Sequence, residues 1–195
     1  NYVFYKERLE RSPFIIIPNT KEFQRNENYA FLMQRQTLKR TLNDRITQSI
    51  IETSDVDIFW IVSQTLFAVA QMHMNQVPHC NISPSNVVLT SSDDVYVTDM
   101  GFIQPHFFRR QDYNVISFCY PRNHTEFYLS PERIDPNTVR TEFVNLRLST
   151  EDKQQGMLLK SDTFALGCVI YKFVTKGRVL FNLQRVYDLS SSSDY

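Results

Sequence analysis

Three short runs of this chain carry the residue types that chemistry needs. His79-Cys80-Asn81-Ile82-Ser83-Pro84-Ser85-Asn86 gathers an imidazole, a thiol, two hydroxyls and two carboxamides. Asp99-Met100-Gly101 adds a carboxylate 13 positions after Asn86. Ser130-Pro131-Glu132 follows, and later Ser161-Asp162-Thr163-Phe164-Ala165-Leu166-Gly167. The Asp99 carboxylate and the Asn86 amide oxygen are hard donors, the type that magnesium takes. The same residues also stabilise turns, so the pair alone leaves both readings open. A lone Asp-x-Gly arises by chance in many chains. The order of the runs, and the elements between them, carry the information.

Those elements are legible. From about residue 55 to 74, Ile58, Ile61, Val62, Leu66, Val69, Ala70 and Met72 recur at helical spacing, with Ser54 or Asp55 as cap. Phe59, Trp60 and Phe67 widen that face, which predicts a helix buried on most sides. Val87-Val88-Leu89 and Val95-Tyr96-Val97 flank Thr90-Ser91-Ser92-Asp93-Asp94, a hairpin pattern. A second apolar helix is expected over 162–175, closed by Gly177. Phe14-Ile15-Ile16-Ile17 reads as a strand, paired antiparallel with Tyr29-Ala30-Phe31-Leu32-Met33 across a polar turn. Residues 37–46 read as a short polar helix, 104–130 as irregular and 135–160 as a long insertion. The expected fold class is α+β.

Composition sets outer limits. The 195 residues, 23.1 kDa, suit one domain or a large piece of one; 42% are hydrophobic and 22% charged. Twenty-one basic residues balance 21 acidic ones, so nothing favours a general electrostatic grip on nucleic acid. No apolar run reaches the ~18 residues of a membrane span. Cys80, Cys119 and Cys168 are too few and too scattered for a disulfide framework or metal cluster, so a cytoplasmic, reducing compartment is expected. Asn81-Ile82-Ser83 and Asn123-His124-Thr125 match a glycosylation pattern that carries no meaning in that compartment. The missing initial Met and the tail Ser190-Ser191-Ser192-Ser193-Asp194-Tyr195 suggest a fragment.

Taken together, the runs resemble the C-terminal lobe of a protein kinase. Residues 79–86 resemble the catalytic loop, Asp99-Met100-Gly101 the magnesium-binding Asp-Phe-Gly, and Ser130-Pro131-Glu132 the Ala-Pro-Glu motif. Asp162 and Gly167 resemble the start of the helix that anchors the loop. Residues 1–36 would be a remnant of the small lobe with the hinge at 34–36, 37–189 the large lobe, and 190–195 a serine-rich end. Within kinases, the chain resembles the kinase-like regulatory subunit of class III phosphatidylinositol 3-kinase. Leu42-Asn43-Asp44-Arg45-Ile46, Asn86-Val87-Val88-Leu89-Thr90, Tyr128-Leu129-Ser130-Pro131-Glu132-Arg133 and Leu180-Phe181-Asn182-Leu183 carry that resemblance.

The resemblance implies ATP and magnesium as cofactors, with Asn86, Asp99 and Gly101 at the cofactor site and Asn86 and Asp99 on the metal. It implies structural roles for His79, Glu132, Asp162 and Gly167, with Glu132 lacking its partner. It also exposes departures. The catalytic aspartate position is Asn81, the phosphate-steadying lysine position is Ser83, and the arginine position is Cys80. No Gly-x-Gly-x-x-Gly and no Val-Ala-x-Lys is present; Glu7 and Glu10 are poor candidates for that lysine's partner. An impaired kinase is therefore expected to act as a scaffold, with a lipid kinase catalytic subunit and other subunits as partners, peripheral on endosomal or autophagic membranes. The alternative is an active serine/threonine kinase using water or another carboxylate as base, nominally Asp93, Asp94 or Asp112. An unrelated α+β binding module is the remaining alternative.

Overall fold

A computed structural model describes residues 7–9, 12–16, 24–25, 30–31, 40–48, 52–101, 105–109, 111–134 and 150–191. The strands are β1 (Gln24–Arg25), β2 (Ala30–Phe31), β3 (Arg40–Thr41), β4 (Val87–Leu89) and β5 (Val95–Val97). The helices are α1 (Leu42–Thr47), α2 (Asp55–Met74), α3 (Tyr113–Cys119), α4 (Pro131–Ile134), α5 (Thr150–Val174) and α6 (Leu183–Ser191). One antiparallel pair is β1–β2; a second sheet runs β3–β4–β5.

Capping chemistry fixes the long helix α2. The Asp57 N–H donates to Ser54 Oγ at 3.2 Å, and the Ser54 N–H donates back to the Asp57 carboxylate at 3.1 Å. Thr41 and Asp44 make the same reciprocal box at the start of α1. At its far end α2 stops on Gln76 in the left-handed region (φ 57°). The Val77 N–H reaches back to the Met72 carbonyl at 2.9 Å, the long bond of a Schellman cap. That cap turns the chain directly into residues 77–86.

Across the core, α2 and α5 pack against the β4–β5 hairpin. Ile61, Val69, Val87, Leu89, Val95, Leu166, Val169 and Phe173 form the main cluster. A polar clamp fixes the hairpin on α2: Gln64 accepts from the Val95 N–H and donates to the Asp93 carbonyl, both at 3.1 Å. A second cluster joins Phe108, Ile116, Phe127, Leu129 and Ile134 to α6 through Leu183 and Val186.

Several expectations need correction. Ile15 makes a parallel bridge to Val97, and β2 pairs instead with Gln24–Arg25, inside the segment read as a turn. The hairpin edge offers the 14–16 backbone a nearer partner: Val97 N–H donates to the Phe14 carbonyl and Ile16 N–H to the Val97 carbonyl. The polar helix begins only at Leu42, because Thr41 caps it. Residues 113–119, read as irregular, are helical and bury Ile116. The second long helix starts at Thr150, not at Asp162, so the end of the supposed insertion belongs to α5. Phe59, Trp60 and Phe67 are exposed, since α2 is apolar all round but packed on one side only. The hinge at 34–36, residues 37–39, most of the 135–160 segment, Glu10 and residues 192–195 lie outside the described residues.

One buried ion pair ties α5 to the segment before α4. Lys172 Nζ bonds the Glu126 carboxylate and, at 3.1 Å, Asn43 Oδ1 of α1. Lys172→Met would leave the Glu126 carboxylate to Tyr128 at 2.8 Å and the exposed Arg122 at 3.4 Å, and is expected to cost about 1–3 kcal/mol in urea melts, with part of that recovered in a Lys172→Met/Glu126→Leu double variant. Gly167 is a different matter. It sits mid-α5, exposed, with nothing within 4 Å of where a Cβ would stand. Gly167→Ala should raise stability by about 0.5–1 kcal/mol in the same melts.

Candidate functional site

A single carboxylate organises the loop from 77 to 86. Asp162, buried on α5, accepts the His79 N–H at 2.6 Å on one oxygen and the Cys80 N–H at 2.8 Å on the other. His73 Nε2, on the last turn of α2, lies 3.2 Å from the same carboxylate. Cys80 is held at φ 63°, a left-handed conformation that two bonds to flanking groups stabilise.

His79 then connects the loop to the hairpin exit. Its Nδ1 receives the Asn81 N–H at 3.2 Å, so Nδ1 carries the lone pair and Nε2 carries the proton, which points to the Thr98 carbonyl at 3.1 Å. Burial holds this imidazole below the usual histidine range, opposed by the nearby Asp162 charge. The His79 carbonyl accepts the Gly101 N–H at 2.8 Å. A Cβ at Gly101 would come within 3.1 Å of Cys80, so glycine allows the two segments to touch.

Asn81, Asn86 and Asp99 meet through their backbones. Asn81 Nδ2 donates to the Asp99 carbonyl at 2.9 Å, and Asn86 Nδ2 donates to the Asn81 carbonyl at 2.7 Å. Both amides are thus oriented, and the Asn86 side-chain oxygen keeps its lone pairs for another partner. Asp99 stands at φ 58°, and the partial burial of its carboxyl pushes it above the usual carboxylate range. A carboxylate oxygen and an oriented amide oxygen fit the donor set of a magnesium ion. No group of three or more histidine, cysteine or acidic side chains is placed to share a metal among the described residues.

Ser83 faces a cavity of about 380 Å³, lined also by Asn81, Asn86, Tyr120, Tyr128 and Arg133. Glu132 makes no ion pair among the described residues; its neighbour Arg133 does the holding. The buried Arg133 guanidinium donates to the Cys80 and His106 carbonyls, each at 2.7 Å, and to the Pro105 carbonyl at 3.3 Å. Sequence reasoning passed over Arg133, Gln64 and His73, because only the fold reveals that a polar side chain is aimed inward. The Cys80 thiol is pushed up to about 12 by burial and the Asp162 charge, so it is no nucleophile. Asp93 is engaged with Arg40 and Arg45, and Asp112 with the Arg109 backbone.

This platform, a loop hung from a helix carboxylate beside a hairpin and an Asp-Met-Gly turn, is that of a protein kinase. A family model described as protein kinase domain matches residues 6–191, and the chain belongs to that family. Among curated relatives, the serine/threonine-protein kinase VPS15 of Saccharomyces cerevisiae is 31% identical over 170 residues, covering 85% of this chain and 11% of that protein. VPS15 of Arabidopsis thaliana is 31% identical over 166 residues, 84% of this chain and 10% of its own length. The probable VPS15 kinase of Dictyostelium discoideum is 26% identical over 182 residues, 93% of this chain and 9% of its length. The chain thus spans about a tenth of the relatives it matches. No helix among the described residues is long and apolar enough to cross a membrane.

One buried and one half-buried imidazole set a pH dependence. Burial lowers both His79 and His106, so the unfolded chain binds more protons than the folded one once pH falls below about 6.5. Stability is complete above that value and declines as pH drops towards the folded-state values. Thermal midpoints should therefore fall between pH 7 and pH 5, and fall less steeply in His106→Gln.

Proposed function

We propose that this chain is a kinase-fold regulatory and scaffolding subunit of a class III phosphatidylinositol 3-kinase complex, with phosphoryl transfer impaired. Its partners in this reading are the lipid kinase catalytic subunit and the other subunits. It would sit in the cytoplasm, peripheral on endosomal or autophagic membranes through that complex. The VPS15 names of its relatives support the assignment.

One observation carries the impairment: Asn81 spends its amide N–H on the Asp99 carbonyl. A general base must accept the substrate hydroxyl's proton, and a carboxamide has no useful basicity near neutral pH. Losing positioned acid–base catalysis forfeits roughly 10²–10⁴ in rate. Ser83 and Cys80 offer no charge to the transferred phosphate either. If ATP and magnesium bind, Asn86 and Asp99 would hold the metal, which neutralises phosphate charge.

An active serine/threonine kinase is the second reading, favoured by the retained Asn86 and Asp99. A phosphotransfer assay on the intact protein separates the two. Turnover should stay at the level of Asp99→Ala; robust turnover that Asp99→Ala abolishes would establish the active kinase. Asn81→Asp should not restore transfer. It removes the donor to Asp99, sets a carboxylate against that carbonyl, and should cost about 1–3 kcal/mol of stability in chemical denaturation.

A further inference from the structure

A cavity of about 520 Å³ lies where α1 and α5 end beside the 121–126 loop, lined by Asn43, Thr47, Arg122, Glu126, Lys172 and Lys176 among others. None of Asn81, Asn86 and Asp99 lines it. The carboxylate and the carboxamide oxygen of this lining are spent inside the protein. Glu126 accepts from Lys172 Nζ and from Tyr128 Oη at 2.8 Å, with Arg122 Nη1 at 3.4 Å. Asn43 Oδ1 faces Lys172 Nζ at 3.1 Å, since a lysine can only donate, and Nδ2 keeps both N–H groups without a partner among the described residues. The donors of the lining are in surplus. Lys176 is exposed and enters no ion pair among the described residues. Arg122, 65% exposed, meets Glu126 through one nitrogen only. Lys172 Nζ has a third N–H beyond its two partners. Such a lining calls for a ligand that brings acceptors and negative charge.

We propose that this cavity binds the side-chain carboxylate of a glutamate in an acidic peptide segment. The charge balance selects a monoanion. Arg122, Lys172 and Lys176 are cations, and Glu126 cancels one of them. Helix α1 ends here at Thr47 and α5 at Val174, and each helix C-terminus contributes about half a negative charge. About one positive charge is left over, which suits one carboxylate and falls short of a phosphate dianion. Ile46 and Val179 add apolar lining for the methylene stem of a glutamate, which a bare inorganic ion leaves unused. Lys172 is buried and already held by Glu126 and Asn43, so its ordering costs nothing when the ligand arrives. The chain as a whole has no net charge, so the positive excess is a property of this cavity. The site stands whether or not the 79–86 loop transfers a phosphoryl group.

The test is an NMR titration of the isotope-labelled 195-residue chain with a short glycine–serine peptide that carries one glutamate and has both termini blocked. Matched peptides with glutamine or phosphoserine in its place, and inorganic phosphate, are the other arms. The glutamate peptide should shift the backbone amides of Thr125 and Gly177 and bind about tenfold more tightly than the glutamine peptide, as a charge-assisted hydrogen bond does. Lys176→Asn removes a cation yet keeps a residue type that tolerates the left-handed backbone at this position, φ 54°. It should weaken the glutamate peptide about threefold to fivefold. Arg109→Gln, at a 74% exposed side chain outside the cavity, should leave the affinity unchanged. Equal binding of the glutamate and glutamine peptides would overturn the proposal. So would an equal loss in Arg109→Gln, or tighter binding of the phosphoserine peptide or of inorganic phosphate at the same amides.

Discussion

The Asp162 carboxylate is the constraint on which the rest depends. It is buried, so its charge must be met by hydrogen-bond donors or cost several kcal/mol. The donors are two consecutive backbone N–H groups, His79 and Cys80, which can point at one carboxylate only if the chain turns sharply. The left-handed Cys80 is that turn. From it follow the position of the His79 ring, the contact with Gly101, and the approach of 81–86 to 98–101. One side chain on α5 thereby specifies a loop about 80 positions earlier, and α2 delivers the loop to it through the cap at Gln76.

Once the loop is hung, neutral groups complete it. His79 is a neutral imidazole with its proton on Nε2, because Nδ1 accepts the Asn81 N–H. Asn81 and Asn86 donate to main-chain carbonyls, which orients their amides without an ion pair. Besides Asp162, the buried charge in this region is the Arg133 guanidinium, and three carbonyls solvate it.

What was readable in the sequence follows from which forces act locally. The capping of α2 by Ser54 and the hairpin over 87–97 depend on neighbours a few residues apart, and both are seen at the residues the pattern indicates. The short strands near the start were harder. Ile15 found the edge of β5, some 80 positions away, and no local pattern encodes that choice. The beginning of α5 was hidden because Thr150 to Lys160 is polar on most positions and interrupted by Gly156, although Leu158 is buried. For α2, periodicity identified the helix but not its covered side, since apolar residues surround it. At the site, residue types suggested Asn86 and Asp99, but the inward aim of Arg133 has no sequence signature.

The neutral substitutions in the loop are coupled to that arginine. Arg133 Nη1 sits 2.7 Å from the Cys80 carbonyl, and Cys80 is itself buried against Gly101. A cation at position 80 would share a low-dielectric pocket with a guanidinium already committed to three carbonyls, and like charges that close repel strongly. Cysteine at 80 and a buried Arg133 therefore go together. The same holds for Asn81, whose amide is the donor that the Asp99 carbonyl needs, so a carboxylate there trades a hydrogen bond for repulsion. Restoring charge at one position would disturb the contacts of the next, because residues sharing one hydrogen-bond network do not act additively. The neutral residues of the loop therefore form one coupled set, each fitting the one beside it.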